Sequence, residues 1–232
     1  MNNPYLAPNL PDELPDDPMS WAAAWLQQAT AQAVQRNPNS MTLVTVSDSG
    51  QPSARVVLCK SFVADPGYVV VYTNYKSRKV SDIQSQPKVA ATFHWDALGR
   101  QIRLEGIAVY SPDKESDDYF ATRDWGSQLG AWGSDQSAPL ESRQALREQV
   151  LDRAHALGVD VTDDLHSLAS DQVPAIARPP HWGGIRIWPS RIELWVEGAD
   201  RIHDRASWSR TLEPTGDHDF EVGPWVGTRL QP

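Results

Sequence analysis

The sequence predicts a mainly β protein, a closed or nearly closed β-barrel with peripheral α-helices. Three observations carry that expectation. Short apolar runs at 41–46, 54–59, 68–73, 89–95 and 101–110 follow one another through breaks of turn residues. Strand-like runs return near the C-terminus at 183–189, 191–196 and, less clearly, 225–232. Helical patterns lie before the first group and between the two. The chain contains neither GxGxxG nor GxxxxGK[ST], so a dinucleotide-binding Rossmann domain and a P-loop both lack their main support.

In chain order, residues 1–18 hold five prolines and four acidic residues with no basic one, and read as a flexible arm. Residues 19–232 read as a single domain. Ser20 is the expected cap of a first helix, WAAAWLQQATAQAVQR, whose Trp21, Trp25, Leu26, Ala29 and Ala33 trace an apolar stripe. The breaks SDSGQP, VADPG and DALGR are too short for parallel crossovers, so the first strands are expected to be antiparallel. SRKVSDIQSQ reads as a short helix between the third and fourth strands. DKESDDYFATR and ESRQALREQVLDRAHAL read as two helices joined by a glycine-rich linker, GSQLGAWGSDQSAPL. Residues 158–180 read as a loop.

With 21 Lys and Arg against 30 Asp and Glu, the formal charge is −9, which argues against nucleic acid or an anionic membrane as a partner. A small basic pocket remains compatible with it. Cys59 is the single cysteine, so no intrachain disulfide is available, and its apolar strand suggests a buried, inert thiol. No HExxH or clustered ligand pattern indicates a metal site. The start lacks a basic region followed by an apolar core, and no window is long enough to span a bilayer, so cytoplasm is the expected location.

Within this acidic chain, Arg55 to Ser81 holds five basic residues and one acid. Arg55 and Lys60 are five apart on one strand, so strict alternation sends them to opposite faces unless a bulge intervenes. Thr73, Ser77, Arg78 and Lys79 offer the donors a phosphate needs, and Ser77 could open a helix whose free N–H groups favour an anion. A solvated positive face would give the same pattern. Tyr119, Arg123 and Ser127, four apart, suit a second phosphate, or an aromatic packed against the barrel with an arginine reaching solvent. DRIHDR places Arg201, His203 and Arg205 together after Trp195, in a chain with ten tryptophans, which suits an aromatic ligand or simply core packing.

The ordered set RVVLCK, YTNYKSRK, RQIRLEG, YFATRDWGSQLGAW, RPPHWGG, IELW, RIHDR and RLQP resembles the pyridoxine/pyridoxamine 5′-phosphate oxidase family over most of the chain. The resemblance implies an FMN-binding split β-barrel and a homodimer with FMN at the subunit interface. It implies that Arg55, Val56, Val57, Leu58, Cys59, Lys60, Tyr72, Thr73, Arg78, Lys79, Gln101, Gln136, Ser137, Trp195 and Arg205 bind FMN. Lys60, Tyr119, Arg123 and Ser127 would hold the substrate phosphate, with Arg201 and His203 against the pyridine ring as catalytic residues. Asp124 and Trp125 stand where the family often has proline and arginine, and the segments at 158–177 and 206–224 are longer than usual.

The activity implied is oxidation of pyridoxine or pyridoxamine 5′-phosphate to pyridoxal 5′-phosphate, with O2 as acceptor and H2O2 as product, plus ammonia from the amine. Two rivals remain: a split-barrel flavin oxidase acting on another heteroaromatic such as a phenazine precursor, and a non-catalytic carrier of FMN or pyridoxal phosphate.

Overall fold

A computed structural model of the chain describes residues 9–159 and 175–232. They fall into two compact units: unit one is Met1–Val71, Asp82–Tyr110 and Ile185–Pro232, and unit two is Tyr72–Ser81 and Ser111–Gly184.

Unit one carries the barrel. Its strands are β1 (Ser40–Val46), β2 (Pro52–Val63), β3 (Tyr68–Asn74, leaving the unit after Val71), β4 (Lys88–Trp95), β5 (Arg100–Tyr110) and β6 (Trp182–Val196, entering it at Ile185). They pair in the order β6-β3-β2-β1-β4-β5, and β5 returns to β6, closing the ring. Strict alternation drives the closure, because every second side chain of β1, β4 and β5 points to the core. Leu43, Phe93, Trp95, Ile102 and Leu104 are completely buried. Burying each such side chain contributes roughly 2–3 kcal/mol. Where the β5–β6 register slips beside Gly106, a Cβ would lie 2.0 Å from the Trp188 carbonyl oxygen, so only glycine fits. Beyond β6 the sheet continues through β7 (Asp204–Ser209) to β10 (Val226–Leu230), while β8 (Leu212–Pro214) and β9 (Phe220–Val222) make a separate hairpin.

The helix α1 (Pro18–Ala31) buries Trp21, Trp25 and Ala29. Its cap is Asp17 rather than Ser20: the Asp17 carboxylate accepts the Met19 and Ser20 N–H groups, and Pro18 supplies a preset first turn. The helix also stops at Ala31 instead of reaching Arg36. Residues 1–8 of the expected arm lie outside the described residues. The rest of it is bonded to unit one, with Leu10 N–H donating to Asp204 at 2.8 Å and Trp208 Nε1 donating to the Pro15 carbonyl at 2.8 Å.

Unit two contains α3 (Asp113–Ala121), α4 (Trp125–Gly133) and α5 (Arg143–Ala156), while α2 (Arg78–Ser85) begins in it. The first half of the expected glycine-rich linker, through Gly133, is thus helical. Packing overrides the low glycine propensity: Leu129 of α4 is buried against Ala154 of α5 and Val159. The strands expected at 183–189 and 191–196 are one strand, β6, and β7 to β9 occupy a stretch where no strand was expected. Residues 160–174 of the expected 158–180 loop lie outside the described residues. No helix among the described residues is long and apolar enough to cross a membrane.

Candidate functional site

In unit two, Tyr72, Thr73, Arg123, Ser127, Gln136 and Trp182 line one cavity of about 320 Å³, together with Asn74 and Ser134. Tyr72 and Thr73 arrive at the end of β3, Arg123 follows α3, and Ser127 stands in the first turn of α4. The wall is aromatic. Tyr72 stacks on Tyr119 with centroids 3.8 Å apart and on Trp182 at 5.5 Å, and the Arg123 guanidinium lies 4.5 Å from the Trp182 ring centre. Its Nη1 is buried, with no hydrogen-bond partner among the described residues. Burial holds the Arg123 pKa below its ordinary value, against the opposing influence of Tyr119 and Asp124. A buried guanidinium nitrogen without an acceptor is costly unless an anion completes it.

Lys79 Nζ closes one side of this set, donating to Thr73 Oγ1 at 2.8 Å, Ser77 Oγ at 2.9 Å and Gln136 Oε1 at 2.8 Å. The Arg78 N–H at the start of α2 donates to Ser137 Oγ at 3.3 Å. Ammonium, hydroxyl and amide groups in this arrangement can surround a phosphate. The Ser127 hydroxyl and N–H are instead both directed at Asp124, at 2.7 Å and 2.8 Å.

In unit one the expected residues take two separate positions. Gln101 pairs with Trp195, and Trp195 with Arg205, so these three form one row across β5, β6 and β7 on the outer face. Arg205 gives Nε to Glu193 at 2.9 Å and Nη1 to the Gln231 carbonyl at 3.0 Å, while Glu193 also receives Arg103 at 3.0 Å. His203 lies 4.6 Å from the Trp195 ring, and its Nδ1 accepts the Gly198 N–H at 3.2 Å. A backbone N–H can only donate, so the proton of the neutral imidazole sits on Nε2. The turn before it is strained, with Asp200 at φ 55° and Arg201 at φ 64°, both in the left-handed region. It closes because Gly198 has no side chain: a Cβ would meet the Ile202 carbonyl oxygen at 1.9 Å. Arg201 itself is exposed.

The bulge that would relax strict alternation between Arg55 and Lys60 is present in β2, at Lys60 itself. Arg55 shares the inner side with Cys59, and its guanidinium donates to Thr45 Oγ1 at 2.7 Å and Ser53 Oγ at 3.0 Å, with Asp82 at 3.9 Å. Lys60 is exposed at a bulge between Cys59 and Ser61. Val56 is 68% exposed, Val57 and Leu58 are half-buried, and burial pushes the Cys59 thiol up to about 12. Sequence reasoning assigned no role to Trp182, Asn74 or Glu193. Trp182 stood inside the quoted run RPPHWGG, and Glu193 is two residues before Trp195, which puts both on one face of β6.

The sequence model described as pyridoxamine 5′-phosphate oxidase matches residues 27–153, and that of the pyridoxine 5′-phosphate oxidase C-terminal dimerisation region matches residues 182–232. The pyridoxine/pyridoxamine 5′-phosphate oxidase of Rubrobacter xylanophilus is 40% identical, over 93% of this chain and 87% of its own. That of a Jannaschia species is 41% identical, over 94% and 95%. Among solved structures, PhzG from Burkholderia lata in complex with tetrahydrophenazine-1-carboxylic acid is similar at TM-score 0.77 and 26% identity, covering 100% of this chain and 98% of that one. The fold is that of the FMN-binding split barrels, and the chain belongs to the pyridoxamine 5′-phosphate oxidase family.

Proposed function

We propose that the protein oxidises pyridoxine 5′-phosphate and pyridoxamine 5′-phosphate at C4′ to pyridoxal 5′-phosphate, reducing O2 to H2O2 and releasing ammonia from the amine. One observation carries the reading most: the buried, unpartnered Nη1 of Arg123 in a polar, aromatic-walled cavity. The charge and the flat walls suit a phosphorylated ring. Arg123 binds the substrate phosphate, with Tyr119 and Ser127 at the same end and Lys60 as a further cation. Fixing the phosphate uses contacts remote from C4′ to orient the reacting carbon. Arg201 and His203 serve the ring and its reacting substituent, His203 through its Nε2 proton.

The donor chemistry fits FMN. Thr73, Arg78, Lys79, Gln136 and Ser137 would take its phosphate, and Gln101, Trp195 and Arg205 its ring system. Bound FMN would supply the two-electron acceptor that O2 regenerates. A homodimer is supported by the match to the dimerisation region and by apolar groups on the outside of unit one: Val56, Ile202 and Val226 are 68%, 73% and 65% exposed. Cytoplasm is the proposed location.

The similarity to PhzG favours one second reading, an oxidase of a carboxylated heteroaromatic. Peroxide release by the FMN-saturated protein separates the two. Turnover with both B6 phosphates, and little with unphosphorylated pyridoxine, is the expected result. No turnover with either phosphate would reject the proposal. Replacing Arg201 with methionine should lower kcat more than it raises KM.

A further inference from the structure

Resting on the phosphate reading of the Arg123 cavity, we propose that Asp124 sets its affinity for anions. Asp124 holds the Ser127 hydroxyl away from the incoming phosphate and stands as a negative charge beside Arg123, so the cavity binds phosphate less tightly than its donors alone would allow.

The geometry is specific. Asp124 Oδ1 accepts the Ser127 N–H at 2.8 Å, and Oδ2 accepts the Ser127 hydroxyl at 2.7 Å. A serine hydroxyl has one proton to give, so the bond to Asp124 leaves only lone pairs for an anion. The Ser127 N–H, one of the first-turn donors of α4 that would favour an anion, is also committed. Those two bonds hold the Asp124 carboxyl below its ordinary range, so it is charged throughout neutral pH. Meanwhile Arg123 Nη1 has no acceptor among the described residues. The cavity therefore presents one cation with a free donor and one serine already engaged by a neighbouring carboxylate. Asp124 is a positioning residue that acts through Ser127 and through charge.

Asparagine at this position separates charge from capping. Its amide oxygen still accepts the Ser127 N–H, preserving the cap of α4, while its NH2 donates to the serine oxygen and frees the hydroxyl proton. Inorganic phosphate should bind FMN-saturated D124N about fivefold more tightly than wild type, an effect of the size expected for one solvent-screened charge and one hydrogen bond. Ser127→Ala should change affinity less than about twofold in wild type and remove most of the gain in the D124N background.

The test is calorimetric titration of phosphate into wild type, D124N, S127A and the double variant, with circular dichroism to verify that α4 is retained. In parallel, D124N should lower KM for pyridoxamine 5′-phosphate. Equal or weaker phosphate binding by D124N, a Ser127→Ala loss as large in wild type as in D124N, or no phosphate binding by any of the four would overturn the inference. Absence of turnover with B6 phosphates, alongside the predicted pattern with inorganic phosphate, would reject the oxidase reading and leave the role of Asp124 standing.

Discussion

Arg123 and Arg205 belong to the same candidate machinery, yet the protein uses them in opposite ways. In unit one, Arg205 is engaged by buried Glu193 and the Gln231 carbonyl, and Arg55 is similarly engaged by Thr45, Ser53 and Asp82. In unit two, Arg123 packs on Trp182 with one buried nitrogen that has no partner among the described residues. A guanidinium held by protein acceptors stabilises the fold and can offer a ligand only its remaining donors, whereas an orphaned nitrogen has kept binding capacity at the expense of stability. Which arginine holds a ligand is therefore a question of unfilled hydrogen bonds as well as of charge.

The largest test of that contrast is Glu193→Ala. It removes the acceptor that Arg103 and Arg205 share, leaving them Glu105 and the Gln231 carbonyl, and should lower unfolding free energy by about 2 kcal/mol in urea titration. A loss below about 1 kcal/mol would mean that Arg205 is less committed to structure than its bonds suggest. Arg123→Leu should do the reverse. Its stability should stay within about 1 kcal/mol of wild type, while KM for pyridoxamine 5′-phosphate rises roughly thirtyfold, as loss of a charge-assisted hydrogen bond worth about 2 kcal/mol requires. An equal loss of stability in both variants would erase the distinction.

Two smaller effects sharpen it. Asp17→Ala, which removes the α1 cap in unit one, should cost about 1 kcal/mol of stability and leave KM unchanged. Asp124 has a folded pKa lower than its unfolded value near 3.8. Its contribution to stability is thus complete above that unfolded value and is lost as pH falls through the lower folded one. The stability difference between wild type and D124N should be flat from about pH 6 to 8 and shrink below about pH 4. A difference that changes around neutrality would point to another titrating group.

Much of the barrel was legible because alternation survives in the primary structure. Ile102 and Leu104 face inward, alternating with Gln101, Arg103 and Glu105. The helix α4 was hidden by its glycines, since Leu129 against Ala154 is a contact that local propensity does not contain. Strand β6 was read as two because of Pro189 and Ser190, and β7 was hidden by the charges of RIHDR, although Ala206 and Trp208 keep its inward alternation. In the site, residue types suggested the anion chemistry of Arg123. Its stacking on Trp182 and the diversion of Ser127 to Asp124 depend on distances that spacing does not determine.

The most direct test of the central claim is the affinity of FMN-saturated wild type and Arg123→Leu for pyridoxal 5′-phosphate and for pyridoxal, read by equilibrium titration. If Arg123 reserves its free nitrogen for the phosphate, wild type should prefer the phosphorylated form by roughly tenfold or more, and the variant should lose most of that preference. An undiminished preference in Arg123→Leu would contradict the account and place phosphate recognition elsewhere.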